Sequence, residues 1–465
     1  MSGLGGGPFR ADGVQQARPF RAAIAIVALV VISRFCHLRT LWVEEAYPMA
    51  GALQVLDGQL PYRDFWFDKP PLLPLFYALI GAQAGWPLRL LDIAFVLACC
   101  YFAYLLAREL WHPRAGLYAA GLMAFFLTFD HHSVVLAIAP DLFLLLPHLA
   151  AVYLAQRQQA FAAGLVCAVG IAANLKGVFL IPVCLLFAPT RAVALLAGCA
   201  PAALLLLSPG FREQALAWGQ LYSANTFLEN PLAAGLARTG AWTCFHAALL
   251  AAVGRRMERK FLLWLLLMAV TVTLGWRFFP RYYFALLPPL VLLAARGFAE
   301  AKGRWRLALL ALLLAPLVRF GPRYAQVALG QPWGDLALYE DCRRTVGQMP
   351  AARSVFVWGY RPEINVLAGA PSRDFYIESQ PLTGVFADRH LSSVAGSAAP
   401  RAPRGPLQSE YVVDGLGPLN PALAIPPPYL ENHKMAGRTA TTVIYRRVAG
   451  ATGAGAASAA PGPAR

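Results

Sequence analysis

Charge is what this 465-residue chain has least of. Only 14% of its residues are Asp, Glu, Lys or Arg, and acids are the scarcer sign, 24 against 40 basic residues, for a net charge of +16. With 58% hydrophobic residues and a mean hydropathy of +0.52, the composition lies outside that of a soluble globular protein and inside that of a multi-span membrane protein. In such a chain an excess of Lys and Arg reads as cytoplasmic loops facing anionic lipid, and nucleic acid is not a partner. No CxxC occurs, and Cys99, Cys100, Cys167, Cys184 and Cys199 of the eight cysteines lie in apolar runs, so neither a disulfide framework nor a zinc site is signalled. Internal repeats are absent.

A small-x-small cleavage site is also missing. Residues 1–21 are Gly-rich and basic (Arg10, Arg18, Arg21) and residues 22–32 are apolar, which reads as a cytoplasmic tail leading into an uncleaved signal anchor. A helix over residues 22–42 rises roughly 30 Å, enough to cross a bilayer. Arg34 falls in its outer half, where it either snorkels to the interface or lines a polar cavity.

What the chain does have is a regular alternation of basic clusters. Apolar runs at 88–107, 141–155, 178–188, 241–253 and 282–295 each end at arginines or lysines, among them Arg108, Arg157, Arg191, Arg259 and Arg296. The positive-inside rule then gives about eleven transmembrane helices over residues 22–322, with the N-terminus inside and the C-terminus outside. Residues 72–82 are apolar but too few to span, and read as a re-entrant or interfacial helix. Beyond Pro322 the composition changes. A helix over 335–349, strands over 354–358, 411–414 and 441–446, and a Pro/Ala/Ser/Arg linker over 392–406 predict a small outer α/β domain, 323–449, before a disordered tail, 450–465.

The first outer loop, residues 42–87, concentrates the scarce carboxylates: Glu44, Glu45, Asp57, Asp64 and Asp68, with Asp92 further on. Arg63 and Lys69 sit among them, interleaved with Tyr47, Tyr62, Phe65, Trp66 and Phe67. A polar, aromatic loop at a membrane needs water or protein over its backbone. The same topology brings the 130–141 loop with Asp141, Lys176, and the 277–283 stretch with Arg281 and Tyr282 to that outer face. Acids and bases converging where a lipid head group lies suit glycosyl transfer from a lipid phosphate: a carboxylate takes the acceptor hydroxyl proton and fixed cations stabilise the departing phosphate.

Plainer readings compete at each position. Glu44 and Glu45 suit a helix N-terminus through the dipole. Asp141, following Pro140, suits a helix cap. Lys69 suits an interfacial anchor, and Arg281–Tyr282–Tyr283 an aromatic belt. His131 and His132 lack partners at metal spacing and read as loop polarity. Tyr47, Trp66 and Trp218 suit interface packing as well as sugar stacking.

Several motifs together resemble the GT-C glycosyltransferases, which include protein O-mannosyltransferases and the lipid A aminoarabinose transferases. They are W-V-E-E-A-Y followed by G-Q-L-P-Y-R-D-F-W-F-D-K-P-P-L, then A-P-D-L-F-L-L-L, N-L-K-G, P-R-Y-Y-F-A-L-L-P-P-L and F-V-W-G-Y-R-P-E. The resemblance covers about residues 20 to 320, and more loosely the outer domain. It implies a polytopic inner-membrane enzyme that transfers a sugar with inversion from a polyprenyl-phosphate donor to a glycan, lipid or protein hydroxyl on the outer face. It places Glu44 where the family has a catalytic Asp, and Glu45 at the Glu of that pair. It likens Asp141 to the acidic residue of the second outer loop. Lys69, Lys176, Arg281 and Tyr282 correspond to contacts with the donor phosphate. Tyr47, Arg63, Asp64 and Trp66 are weaker candidates for acceptor or sugar contacts. No cofactor is required and no metal is indicated, although carboxylates can bind a divalent ion. Two other classes are a transporter or flippase of polyprenyl-linked sugars, which predicts paired repeats and broken helices, and an inactive glycan-binding scaffold.

Overall fold

A computed structural model describes residues 11–131, 135, 138–225, 228–254, 257–331, 336–390, 398–402 and 405–448. The 450–465 tail, His132 and most of the 392–406 linker lie outside the described residues. The chain divides into two compact units, residues 1–339 and 340–465.

The first unit is helical. By length and composition five of its described helical stretches are able to cross a membrane: Trp86–Leu110, Pro189–Leu207, Arg259–Trp276, Pro280–Glu300 and Gly303–Ala328. Shorter apolar helices run over Pro140–Gln156, Ala160–Ala173 and Leu175–Phe187. The chain enters through α1 (Ala11–Phe35) and continues into α2 (Val43–Leu56), α3 (Leu72–Ala78), α4 (Trp86–Leu110) and α5 (Pro113–Phe126). The short apolar run is indeed no span: α3 is a seven-residue helix. In lipid there is little hydrophobic drive between helices, so close backbone approach decides packing. Helix Ala160–Ala173 meets helix Ala192–Ala203 through Gly164 and Gly198. A Cβ on Gly164 would lie 2.1 Å from the Leu195 carbonyl oxygen, so only glycine fits.

The first outer loop differs from the reading as a loop. Its opening third is α2, whose residues from Glu45 to Gln54 are buried. The sequence gives no amphipathic stripe there because both faces are covered, and Pro48 inside the helix breaks the usual signature. Beyond α2, Gln214 ties the loop down: its side chain accepts the Phe67 N–H at 3.0 Å and donates to the Tyr62 carbonyl at 2.9 Å. Arg34 neither snorkels nor faces a polar cavity. It is fully buried, donating to Asp92 at 3.2 Å and to the Val135 carbonyl at 2.8 Å. A carboxylate on the neighbouring α4 removes the need to reach water.

The second unit is a four-stranded sheet in the order β1-β2-β4-β3, with β1 (Val355–Trp358), β2 (Tyr411–Asp414), β3 (His433–Arg438) and β4 (Val443–Arg447). β1 and β2 pair in parallel, Val355 opposite Tyr411, and are buried throughout, as continuous apolar strands require. β4 runs antiparallel to both β2 and β3. The predicted helix forms over Leu336–Gly347, with Cys342 packing beside Val355, Val357, Ile364 and Ile444. β3 is a strand that periodicity does not announce. Its sequence H-K-M-A-G-R is mostly exposed and shifts register between Met435 and Gly437, so its hydrogen bonds to β4 define it rather than a buried face.

Candidate active site

Glu44 and Glu45 occupy the first turn of α2, adjacent in sequence and opposite in circumstance. Glu45 is fully buried, its two oxygens receiving the Arg89 guanidinium at 2.9 and 3.0 Å, and it accepts the Trp42 N–H at 3.4 Å. Burial pushes the Glu45 carboxyl above its ordinary value, against the opposing Arg89 charge. Arg89 also donates to the His37 and Thr40 carbonyls at 3.3 and 3.0 Å, and lies 3.6 Å from Asp92. Arg34, Asp92, Arg89 and Glu45 thus form a closed, neutral row of four charges beneath the start of α2.

Glu44 points the other way. Its Oε1 lies 3.0 Å from Arg281 Nη1, with both side chains about one quarter exposed. The Nε of the same guanidinium lies 3.5 Å from Asp141 Oδ2, so Arg281 bridges carboxylates supplied by two separate elements. Asp141 stands in the first turn of helix Pro140–Phe143, and its Oδ1 accepts from Lys176 Nζ at 3.0 Å and from Asn174 at 3.2 Å. Asn174 in turn caps the Leu175–Phe179 turn through the Lys176 N–H at 3.0 Å, which fixes where the lysine emerges. The Lys176 ammonium sits over the Tyr282 ring, 3.3 Å from its centroid. Asp141, Lys176, Arg281 and Tyr282 line a pocket together with Leu144, Leu145, Phe284 and Ala285, to which His148 and Thr271 add further polar groups. His148 is held by Trp264, whose Nε1 donates to its Nε2 at 2.7 Å.

Lys69 stands at the side of the cluster. It pairs with Asp68 at 2.8 Å, its side chain about one third exposed, and the Tyr62 hydroxyl donates to its carbonyl at 2.6 Å. Partial burial opposes its charge, while Asp68 and Glu44 outweigh that and raise the ammonium above its ordinary value.

The structure therefore brings Glu44, Asp141, Lys176, Arg281 and Tyr282 into one cluster, with Lys69 beside it. It keeps the other sequence candidates apart. Glu45 faces Arg89 instead of the cleft. Tyr47 is buried, stacked on Phe67 at 5.2 Å, and Trp66 is buried edge-on to Trp218 at 5.7 Å. Arg63 and Asp64 pair with each other at 2.8 Å on the surface, Asp64 also accepting the Leu60 N–H. Sequence reasoning passed over Arg89. Its signal was present: an arginine three residues from Asp92 at the start of an apolar run, where a charge needs a partner.

The profile of the dolichyl-phosphate-mannose-protein mannosyltransferase family matches residues 68–210, which include Lys69, Asp141 and Lys176. ArnT from Cupriavidus metallidurans in its apo state is similar over 93% of this chain and 99% of its own, at 15% identity and a TM-score of 0.54. The fold is of the GT-C type. The same ArnT bound to undecaprenyl phosphate matches 92% of this chain and 98% of its own at 15% identity, with a TM-score of 0.47. An oligosaccharyltransferase from Archaeoglobus fulgidus matches 85% of this chain and 69% of its own at 13% identity, with a TM-score of 0.46. No curated protein matches the sequence. On this GT-C fold the charged cluster is built from the start of α2, the Pro140–Phe143 helix, the Leu175–Phe179 turn and the Pro280–Leu286 turn.

Proposed function

We propose that the protein is a glycosyltransferase that passes a sugar from a polyprenyl-phosphate donor to a hydroxyl acceptor, with inversion, on the outer face of the membrane. The observation that carries this reading is Arg281 bridging Glu44 and Asp141, with Lys176 on the same aspartate. Fixed cations poised between carboxylates suit a substrate with an anionic head, and Leu144, Leu145, Phe284 and Ala285 in the same pocket suit its apolar part. The alternation of basic clusters supports the outer-face orientation.

The chemistry we propose uses these contacts. A donor phosphate competes with Glu44 for Arg281 and is held there with Lys176 and Lys69. Glu44, released, accepts the proton of the acceptor hydroxyl. The acceptor oxygen bonds to the anomeric carbon as the bond from that carbon to the phosphate oxygen breaks. The leaving polyprenyl phosphate keeps the electron pair, and the cations stabilise its growing charge. A single displacement inverts the anomeric centre. Asp141 orients Lys176 and Arg281 and faces the acceptor. Glu45 anchors the first turn of α2 through Arg89 and so fixes where Glu44 sits.

The deciding experiment compares the glycans and lipids of a deletion strain by mass spectrometry, complemented with the parent gene or with Glu44→Gln. A sugar missing from the deletion and restored only by the parent supports the reading. Full restoration by Glu44→Gln removes Glu44 as the base, and an unchanged glycan and lipid profile in the deletion strain removes the enzyme reading.

A further inference from the structure

Beside the cluster, the backbone between residues 275 and 278 adopts a conformation that residues with side chains rarely take. Gly275, Trp276 and Phe278 have φ of 72°, 52° and 47°. For two bulky aromatic residues this is a genuine outlier, held only where the surroundings over-determine it. The turn leads within three residues to Arg281.

Arg277, inside that turn, ties it to the C-terminal end of the helix Trp218–Ala224. It is buried, with 1% of its surface exposed, and its Nη2 donates to the Tyr222 carbonyl at 2.9 Å and to the Asn225 carbonyl at 2.6 Å. Its guanidinium lies 3.7 Å from the centroid of the Tyr222 ring. The Arg277 carbonyl accepts from Arg238, and the neighbouring Phe278 ring packs on Gly235, where a Cβ would fall 2.6 Å from it. Tyr222 thus has a fixed guanidinium on its ring, and Lys69 approaches the same ring at 5.8 Å. A tyrosine ring attracts each cation through its π-face.

We infer that Tyr222, locked in place by Arg277, is a positioning residue for the donor phosphate. Its ring forms the wall that sets Lys69 at the edge of the cluster, and Arg277 sets the turn that delivers Arg281. This inference rests on the reading of those cations as the phosphate site. It adds the helix Trp218–Ala224 to the elements that shape the site.

The test is binding of undecaprenyl phosphate to the detergent-solubilised full chain, followed by calorimetry, for the parent and for Tyr222→Leu, Tyr222→Phe, Arg277→Gln and Lys69→Ala. Tyr222→Leu and Arg277→Gln should weaken binding by roughly 3- to 30-fold, the range of a partly desolvated cation–π contact. Tyr222→Phe keeps the ring and should stay within about twofold of the parent, a rescue that a role for the hydroxyl does not predict. Should Arg277→Gln fail to fold, Tyr222→Leu decides, because its backbone contacts to Arg277 remain. Parent-like binding by Tyr222→Leu, with Lys69→Ala impaired, overturns the inference and leaves the phosphate site standing. Equal losses in Tyr222→Phe and Tyr222→Leu overturn the role of the ring. Absence of binding by the parent removes the phosphate site and the inference with it, and parent-like binding by Lys69→Ala removes Lys69 from the site and overturns the inference.

Discussion

Removing the charge of Glu45 tests how the start of α2 is held. The row Arg34–Asp92–Arg89–Glu45 is fully buried and neutral, two guanidiniums against two carboxylates. Glu45→Gln keeps the shape but leaves Arg89 to share Asp92, at 3.6 Å, which already serves Arg34. Breaking one member of a buried pair costs about 3–5 kcal/mol, because an uncompensated charge stays behind. Arg89→Met leaves the opposite charge and should cost about as much. The double variant Glu45→Gln/Arg89→Met restores neutrality. What remains is the lost donor at the His37 and Thr40 carbonyls, worth about 1–3 kcal/mol. The two single losses therefore add to about 6–10 kcal/mol, while the double variant loses far less, a coupling of roughly 5 kcal/mol. Unfolding of the four proteins in mixed micelles, monitored by fluorescence, measures the cycle. Additive losses, with the double variant the least stable of all, would refute the reasoning that burial and pairing set the energetics here.

Other expectations concern the site itself. Glu44→Gln keeps size and polarity and should slow transfer by roughly 10²- to 10⁴-fold with donor binding intact, measured by product formation from a labelled lipid-linked sugar. Lys69→Ala should impair donor use more than Lys69→Arg, which keeps the charge but not the geometry; equal, parent-like donor dependence in both counts against the phosphate role. Because the Lys69 ammonium is raised above its ordinary value, its contribution is complete at neutral pH and is lost only as pH climbs past about 10.4, so its share of undecaprenyl phosphate binding should be flat from about pH 7 to 9. A midpoint below pH 9 that vanishes in Lys69→Ala would contradict this. Cysteine labelling should reach residues 57–64 from outside the cell and residues 257–260 only from inside, and the reverse pattern inverts the proposed orientation.

Much of this was legible in the sequence, for reasons that differ by element. Membrane segments announce themselves because each must satisfy its own backbone in lipid, which leaves long apolar runs and basic ends. β2 was read to the residue, since a buried parallel strand is a continuous apolar run between turns. β3 was not, because an edge strand with an exposed face carries no alternation, only partners. At the site, Glu44, Asp141, Lys176 and Arg281 came from motifs on four separate segments, and the fold brings them together. The division of labour between Glu44 and Glu45 lay beyond the sequence. Adjacent residues on a helix face about 100° apart, so which glutamate meets the cleft depends on where Arg89 and Arg281 stand.

The ion pair between Arg34 and Asp92 has a consequence for how the chain is made. Its partners are 58 residues apart, on α1 and α4. Synthesis at about 5–20 residues per second puts roughly 3 to 12 s between the translation of Arg34 and that of its carboxylate. During that interval an arginine one residue from the end of α1 has no acidic partner on α4, at a cost of up to about 2.5–3.5 kcal/mol if it lies deep in the bilayer. The last turn of α1 is then the part of that helix that settles late. Its charge is paired when α4 arrives and not when α1 is made.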